Sequence, residues 1–254
     1  MRRLILPLLF LLVLLLPRPG VAQTDEIQVY DATIADQGQF EVEFHNNFTP
    51  VGRKSADYPG GIVPSHALNG VPEFSYGVTD WFEAGLYLPV YTISRDGRAE
   101  FDSTKIRALF VTPYAAQRTF FYGVNFELSY NAKHWEQSRI SGEMRPIAGL
   151  HLGDWDLIVN PILDTDFKGV GRLDFAPAER IAYNLSPFWA VAVEHYADFG
   201  PFQQFHAVGQ QAQTLFGVVD YKQEDQFNVE FGVGHGFTSA SDDLVLKLMI
   251  GVDF

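Results

Sequence analysis

Residues 244–254 read LVLKLMIGVDF. On an extended strand, Leu244, Leu246, Leu248, Ile250, Val252 and Phe254 share one face, and Val245, Lys247, Met249, Gly251 and Asp253 share the other. A period of two held over this length is a strand pattern and excludes a helical stripe. In water the greasy face would need a second layer, and no later segment follows in the sequence to lie over it. Strands of about 9–11 residues with apolar-out, polar-in alternation are the unit of a transmembrane β-barrel. The expectation is therefore a lipid-facing strand that closes a barrel.

The other end fits secretion. Arg2 and Arg3 precede an apolar run from Leu4 to Leu16, broken by Pro7, and then Pro17-Arg18-Pro19-Gly20-Val21-Ala22. This is the pattern of a signal peptide over 1–22, with Gly20 and Ala22 as the small residues before the cut. The run is too short to cross a bilayer as a helix, which takes about 20 residues. Gln23 would follow the cut, and because it is not Cys no lipid attachment is expected there. Residues 23–38 read as a periplasmic N-terminal segment and 39–254 as a single barrel domain. Three arginines leave with the signal, moving the formal charge from −13 to −16. That acidity speaks against a nucleic-acid partner. Cysteine is absent, which excludes disulfides, thiolate metal sites and a Cys nucleophile.

Twelve candidate strands alternate between short and long connections. Short ones fall at 79–80, 113–119, 153–154, 186–187 and 222–226; longer ones at 49–70, 92–103, 131–138, 164–172 and 197–211. The exception is 238–242. Short periplasmic turns and longer outer loops are the barrel pattern, and an even strand count closes without a free edge. The fold class expected is all-β: a closed antiparallel up-and-down transmembrane barrel of about twelve strands. Aromatics open the strands that leave short turns: Trp81-Phe82, Phe120-Phe121, Trp155, Phe188-Trp189 and Phe227, with Phe40 and Phe254 at the same level. A ring of aromatics at one height reads as the periplasmic girdle at the headgroup boundary. Two places resist regular pairing. Pro146 and Pro161 fall opposite each other and neither has an N–H for the ladder, so a bulge, a register shift or a gap is expected. Glu179 falls on the lipid face under strict alternation, and Pro177 before it suggests a bulge.

The stretch Pro72–Pro89, PEFSYGVTDWFEAGLYLP, with its Tyr-Gly-Val-Thr-Asp turn and Glu-x-Gly-Leu-x-Leu-Pro strand, resembles a motif of Gram-negative outer-membrane transporter barrels, including the phenol-degradation MetA-pathway family. The final Phe254 resembles the C-terminal signature of bacterial outer-membrane proteins. The resemblance implies uptake of small or aromatic compounds. It also implies outer-membrane location, lipid and lipopolysaccharide contact, and recognition of the C-terminal strand by the barrel-assembly machinery. The turn is structural and carries no functional residues across.

Inward parity collects the charge. Acids expected inside are Glu41, Glu43, Glu83, Glu127, Glu143, Asp156, Glu194, Asp220 and Glu230; bases are Lys105, Arg107, Arg139, Arg145, Arg180 and Lys247. Two readings stay open: a lumen plugged by cross-strand ion pairs, or a pore whose charges orient a small solute. The ligand-binding candidates are Glu83, Lys105, Arg107, Glu127, Arg139, Glu143 and Arg145. The loop 49–70 is read as an irregular solvated loop in preference to a lid folded over the mouth. An enzyme acting on lipid would need a His beside a Ser on the outer face. His195 and His235 have outward parity, but neither strand offers an outward Ser near them, so both read as interface histidines. No metal-ligand spacing such as His-x-x-x-His occurs and no phosphate-binding glycine loop is found. No catalytic residue, metal or cofactor is assigned. The function expected is passive passage of small solutes, with a non-conducting structural or binding barrel as the alternative.

Overall fold

A strand whose outer face lies in hydrocarbon has no water to satisfy its backbone, so both of its edges must find partners. The computed structural model describes residues 26–223 and 227–254. The expected signal peptide, 1–22, lies outside the described residues. The strands are β1 (Phe40–Val51), β2 (Leu68–Thr79), β3 (Phe82–Ile93), β4 (Ala99–Val111), β5 (Phe120–Asn131), β6 (Ile140–Leu152) and β7 (Trp155–Asn160). They continue as β8 (Leu163–Thr165), β9 (Asp174–Phe175), β10 (Ala178–Asn184), β11 (Trp189–Asp198), β12 (Ala212–Gln223), β13 (Phe227–Gly236) and β14 (Leu244–Asp253). Twelve of these form the wall: β1 to β7, then β10 to β14, each antiparallel to its neighbours. The β5–β6 and β1–β14 ladders close it. At the seam Phe254 donates to Phe40 O at 2.8 Å and Phe40 to Phe254 O at 3.3 Å.

Burial alternates along each strand as the sequence pattern requires. In β14 the odd-numbered residues Val245, Lys247 and Met249 are buried inside, while the even-numbered ones face outward. Outward Phe44, Phe74, Leu86, Ile106, Phe126, Leu128, Val193 and Phe231 remain exposed, an apolar surface suited to lipid and not to water. The girdle is present. Phe40 packs on Tyr76 at 4.6 Å, Trp155 on Tyr183 at 4.9 Å and Trp189 on Tyr221 at 4.8 Å between ring centroids. Phe121 departs from it. Alternation turns its ring inward, where it is fully buried against His151.

The proline site resolves as a gap without a register change. The β6–β7 ladder stops at Ala148↔Val159, and β6 resumes pairing with β8 at Met144↔Leu163 in the same register. Pro146, Pro161 and their neighbours lie in the interval. Pro177 likewise precedes β10, and strict alternation is kept beyond it: Ala178 and Arg180 are buried and Glu179 faces out. The bulge expected at Glu179 is not needed. Strands run further into the outer side than the sequence reading gave them. The 92–103 connection shrinks to 94–98, because Thr92 and Glu100 pair and the Thr92 hydroxyl donates to Asp102 at 2.5 Å.

The long loop folds inward. Ile62 is buried with Val71, Tyr87, Val90 and Trp135, Ile62 donates to His134 O at 3.2 Å, and Tyr58 donates to Lys133 O at 3.0 Å. Burial, with the nearby Glu136, Asp57 and Asp102 carboxylates, pushes the Tyr58 hydroxyl up to about 12, so it remains a donor well into alkaline solution. The reading of 49–70 as a solvated loop is corrected. Its apolar residues find a partner in the 132–135 turn, which sequence spacing could not pair with it.

Candidate functional site

Part of the lumen is occupied by the chain itself. Residues 26–38, expected in the periplasm, run against inward side chains of the wall. Val29, Tyr30 and Ala32 form one buried apolar cluster with Leu109, Val111, Phe121, Ile147, Ile158, Ile162 and Ala178. A segment of this composition has only water outside the barrel, and here it gains a dry surface. Its backbone is satisfied by the wall. Tyr30 N–H donates to Asn160 Oδ1 at 2.7 Å, Asn160 Nδ2 donates to Tyr30 O at 3.0 Å, and Ala35 N–H donates to Glu83 Oε2 at 2.6 Å. Near the periplasmic end Gly38 N–H donates to Gly77 O at 2.7 Å. Gly77 is glycine for a steric reason: a Cβ there would sit 2.3 Å from both Ala35 O and Asp36 O.

Two charge clusters line opposite walls and both engage this segment. In the first, Glu26 accepts from Arg145 at 3.4 Å and lies 3.9 Å from Lys105, which pairs with Glu127 at 3.1 Å. Arg145 also holds Glu143 at 2.7 Å, donates to Gln28 O at 3.2 Å and lies over the Tyr30 ring at 4.3 Å. Arg107 contacts Glu83, reaches Glu73 at 2.7 Å, and donates to Tyr30 Oη at 3.2 Å. The Tyr30 and Tyr87 hydroxyls meet at 2.7 Å. In the second, Arg180 contacts Glu194 and Asp220 and lies 3.1 Å from Glu230; Lys247 contacts Glu194, meets Glu230 at 2.5 Å and donates to Ile27 O at 3.2 Å. Charges this deep persist because each has an opposite partner and hydrogen bonds.

Six of the seven candidate residues, Glu83, Lys105, Arg107, Glu127, Glu143 and Arg145, meet around the segment. Arg139 does not. It is exposed ahead of β6 and lies 5.9 Å over the outward Tyr130 ring, so its expected lumen position is corrected. The missed participants are Glu26, Tyr30, Glu73 and Asn160. Glu73 was legible, since it shares inward parity with Ser75 and Gly77 on β2. Glu26 and Tyr30 lie in a stretch too short and mixed to show which surface it would meet.

On the outer face, His195 Nδ1 lies 2.8 Å from Glu179 and Nε2 lies 2.7 Å from Gln213 Oε1. The carboxylate–imidazole pair has the form of two triad members, yet the other ring nitrogen meets an amide and not a hydroxyl. His235 Nδ1 donates to the Asp243 carbonyl at 2.8 Å. Neither geometry activates a nucleophile.

Solved structures of the same shape include porins and an outer membrane channel. The KdgM porin superposes with a TM-score of 0.57 at 10% identity, covering 84% of this chain and 99% of that one. An outer membrane channel from Pseudomonas putida F1 gives 0.59 at 14%, covering 90% and 100%. The fold is that of an outer-membrane porin-type barrel. The NanC porin, at 0.54 and 9% identity over 84% and 98%, agrees. No protein-family model matches the chain, and no curated protein does. At these identities the likeness establishes the barrel fold and leaves the solute to the chemistry of this lumen.

Proposed function

We propose that the protein is an outer-membrane channel for small solutes that rests closed, with residues 26–37 occupying its own lumen. One observation carries this reading: Arg145 and Lys105, the cations a passing anion would meet, are engaged by Glu26 of the same chain. A solute bearing its own carboxylate offers these cations the same contact that Glu26 supplies. It opens the barrel to the extent that it binds the open state better than the closed one. Arg107 lies 5.9 Å from the Tyr87 ring, a cationic and aromatic wall surface that Tyr30 covers in the closed state and that suits a small aromatic anion once the segment leaves. The resemblance of Pro72–Pro89 to aromatic-compound transporter barrels points the same way. Conductance in planar bilayers tests the proposal. The full barrel should show rare openings, and the same barrel without residues 26–37 a stable current that favours anions less once Arg145 is changed to Gln. A truncated barrel that is folded and passes no current overturns the channel reading in favour of a structural barrel.

A further inference from the structure

Beside the charge clusters, and sharing Glu73 with the first of them through Arg107, three side chains on β1 and β2 converge. Glu43 and His45 stand two residues apart on the inner face of β1, and Glu73 is the direct cross-strand partner of Glu43. The His45 Nε2 atom lies 3.1 Å from Glu73 Oε2 and 3.6 Å from Glu43 Oε2. One ligand atom from each of the three falls within 4.8 Å of the other two.

Two carboxylates directly opposite on a ladder repel one another, and a sheet bears that cost only where something offsets it. Arg107 partly does so, but through the other oxygen of Glu73, Oε1 at 2.7 Å, which leaves Oε2 turned to the imidazole. Without a cation His45 Nε2 and Glu73 Oε2 form a hydrogen bond, and the same spacing admits a coordinated ion in its place. Metal–ligand bonds of about 2.0–2.2 Å in a tetrahedron set neighbouring donor atoms about 3.3–3.6 Å apart, and the two His45 distances bracket that interval. His45 and Glu73 are buried, while the Glu43 side chain keeps 15% exposure.

We propose that Glu43, His45 and Glu73 bind a zinc-class divalent cation in the lumen, with the fourth position open to water or to a solute donor atom. One imidazole with two carboxylates suits a borderline cation better than Ca²⁺ or Mg²⁺, which take oxygen shells of six or more. Three protein ligands plus an open position is the pattern of reactive sites, whereas structural sites are closed by four. His45 Nδ1 has no hydrogen-bond partner, so the ring is held by packing beside Tyr87 and not by an outer-shell acceptor. Affinity in the micromolar range is expected for that reason.

Zinc titration of the folded barrel in detergent, followed by calorimetry, tests this independently of any conductance. Wild type should bind one Zn²⁺ per chain. His45→Ala and Glu43→Gln should each weaken binding by more than about tenfold, the least that losing even an outer-shell partner costs. Glu179→Gln, on the outer face, should leave binding unchanged. Co²⁺ added to wild type should give the strong visible bands of a four-coordinate site, a readout that survives if His45→Ala fails to fold. A folded wild type that binds no Zn²⁺, equal binding by Glu43→Gln, or pale six-coordinate Co²⁺ spectra would each overturn the proposal.

Discussion

At the residue scale the outward Glu179 shows what sequence parity can and cannot supply. Alternation put a carboxylate into the lipid-facing row and His195 on the adjacent strand, and the bulge expected from Pro177, which would have moved Glu179, does not occur. Parity could not show that the two are direct cross-strand partners 2.8 Å apart. In a medium without water, an acid survives by pairing. His195→Leu is expected to strand Glu179 and cost about 1.5–3 kcal/mol, the usual range for a hydrogen bond to a charged group. Glu179→Leu together with His195→Leu should recover most of it. Urea unfolding of the barrel in lipid vesicles measures both, and equal losses in the single and double variants would show that the pair is incidental. Arg139 makes the opposite point. It follows the same parity rule, but it lies beyond the start of its strand, where alternation no longer fixes direction.

At the element scale, strand existence and closure were readable because the greasy and polar faces of β5, β13 and β14 repeat every two residues with few faults. The ends were less readable. Outer segments such as Thr92–Asp102 alternate for only two or three residues on either side of a polar turn, too short a run to mark where the strands end. Pro146 and Pro161 announced a defect whose form depends on three dimensions: a gap in the β6–β7 ladder with β8 continuing in register. The β8 segment then has three pairs with β6 on one side and only the two-residue β9 on the other. Weak local pairing predicts easy local opening. Amide exchange in β8, Leu163–Thr165, should run roughly tenfold or more faster than in β7, Trp155–Asn160. Equal protection in the two would mean that the wall is continuous through the prolines.

At the scale of the whole molecule, the barrel wall was legible and its contents were not. Inward parity gathered Lys105, Arg107, Glu127, Glu143 and Arg145 on neighbouring strands without revealing that Glu26, Tyr30 and Ala35 come from the N-terminal side to meet them. Residues 26–38 have no periodicity of their own, because the surface that shapes them is the inside of the wall. The resulting interior combines an apolar cluster with two ion-pair clusters, so the closed state rests on burial as well as charge. The chain has no cysteine, which makes a single-thiol measurement direct. In the barrel reconstituted in vesicles, Val29→Cys should resist a polar maleimide added from either side, because Val29 is 6% exposed among Leu109, Phe121 and Ile147. Rapid labelling of that thiol in the folded barrel, at the rate of a free tail, would contradict an N-terminal segment lodged in the lumen.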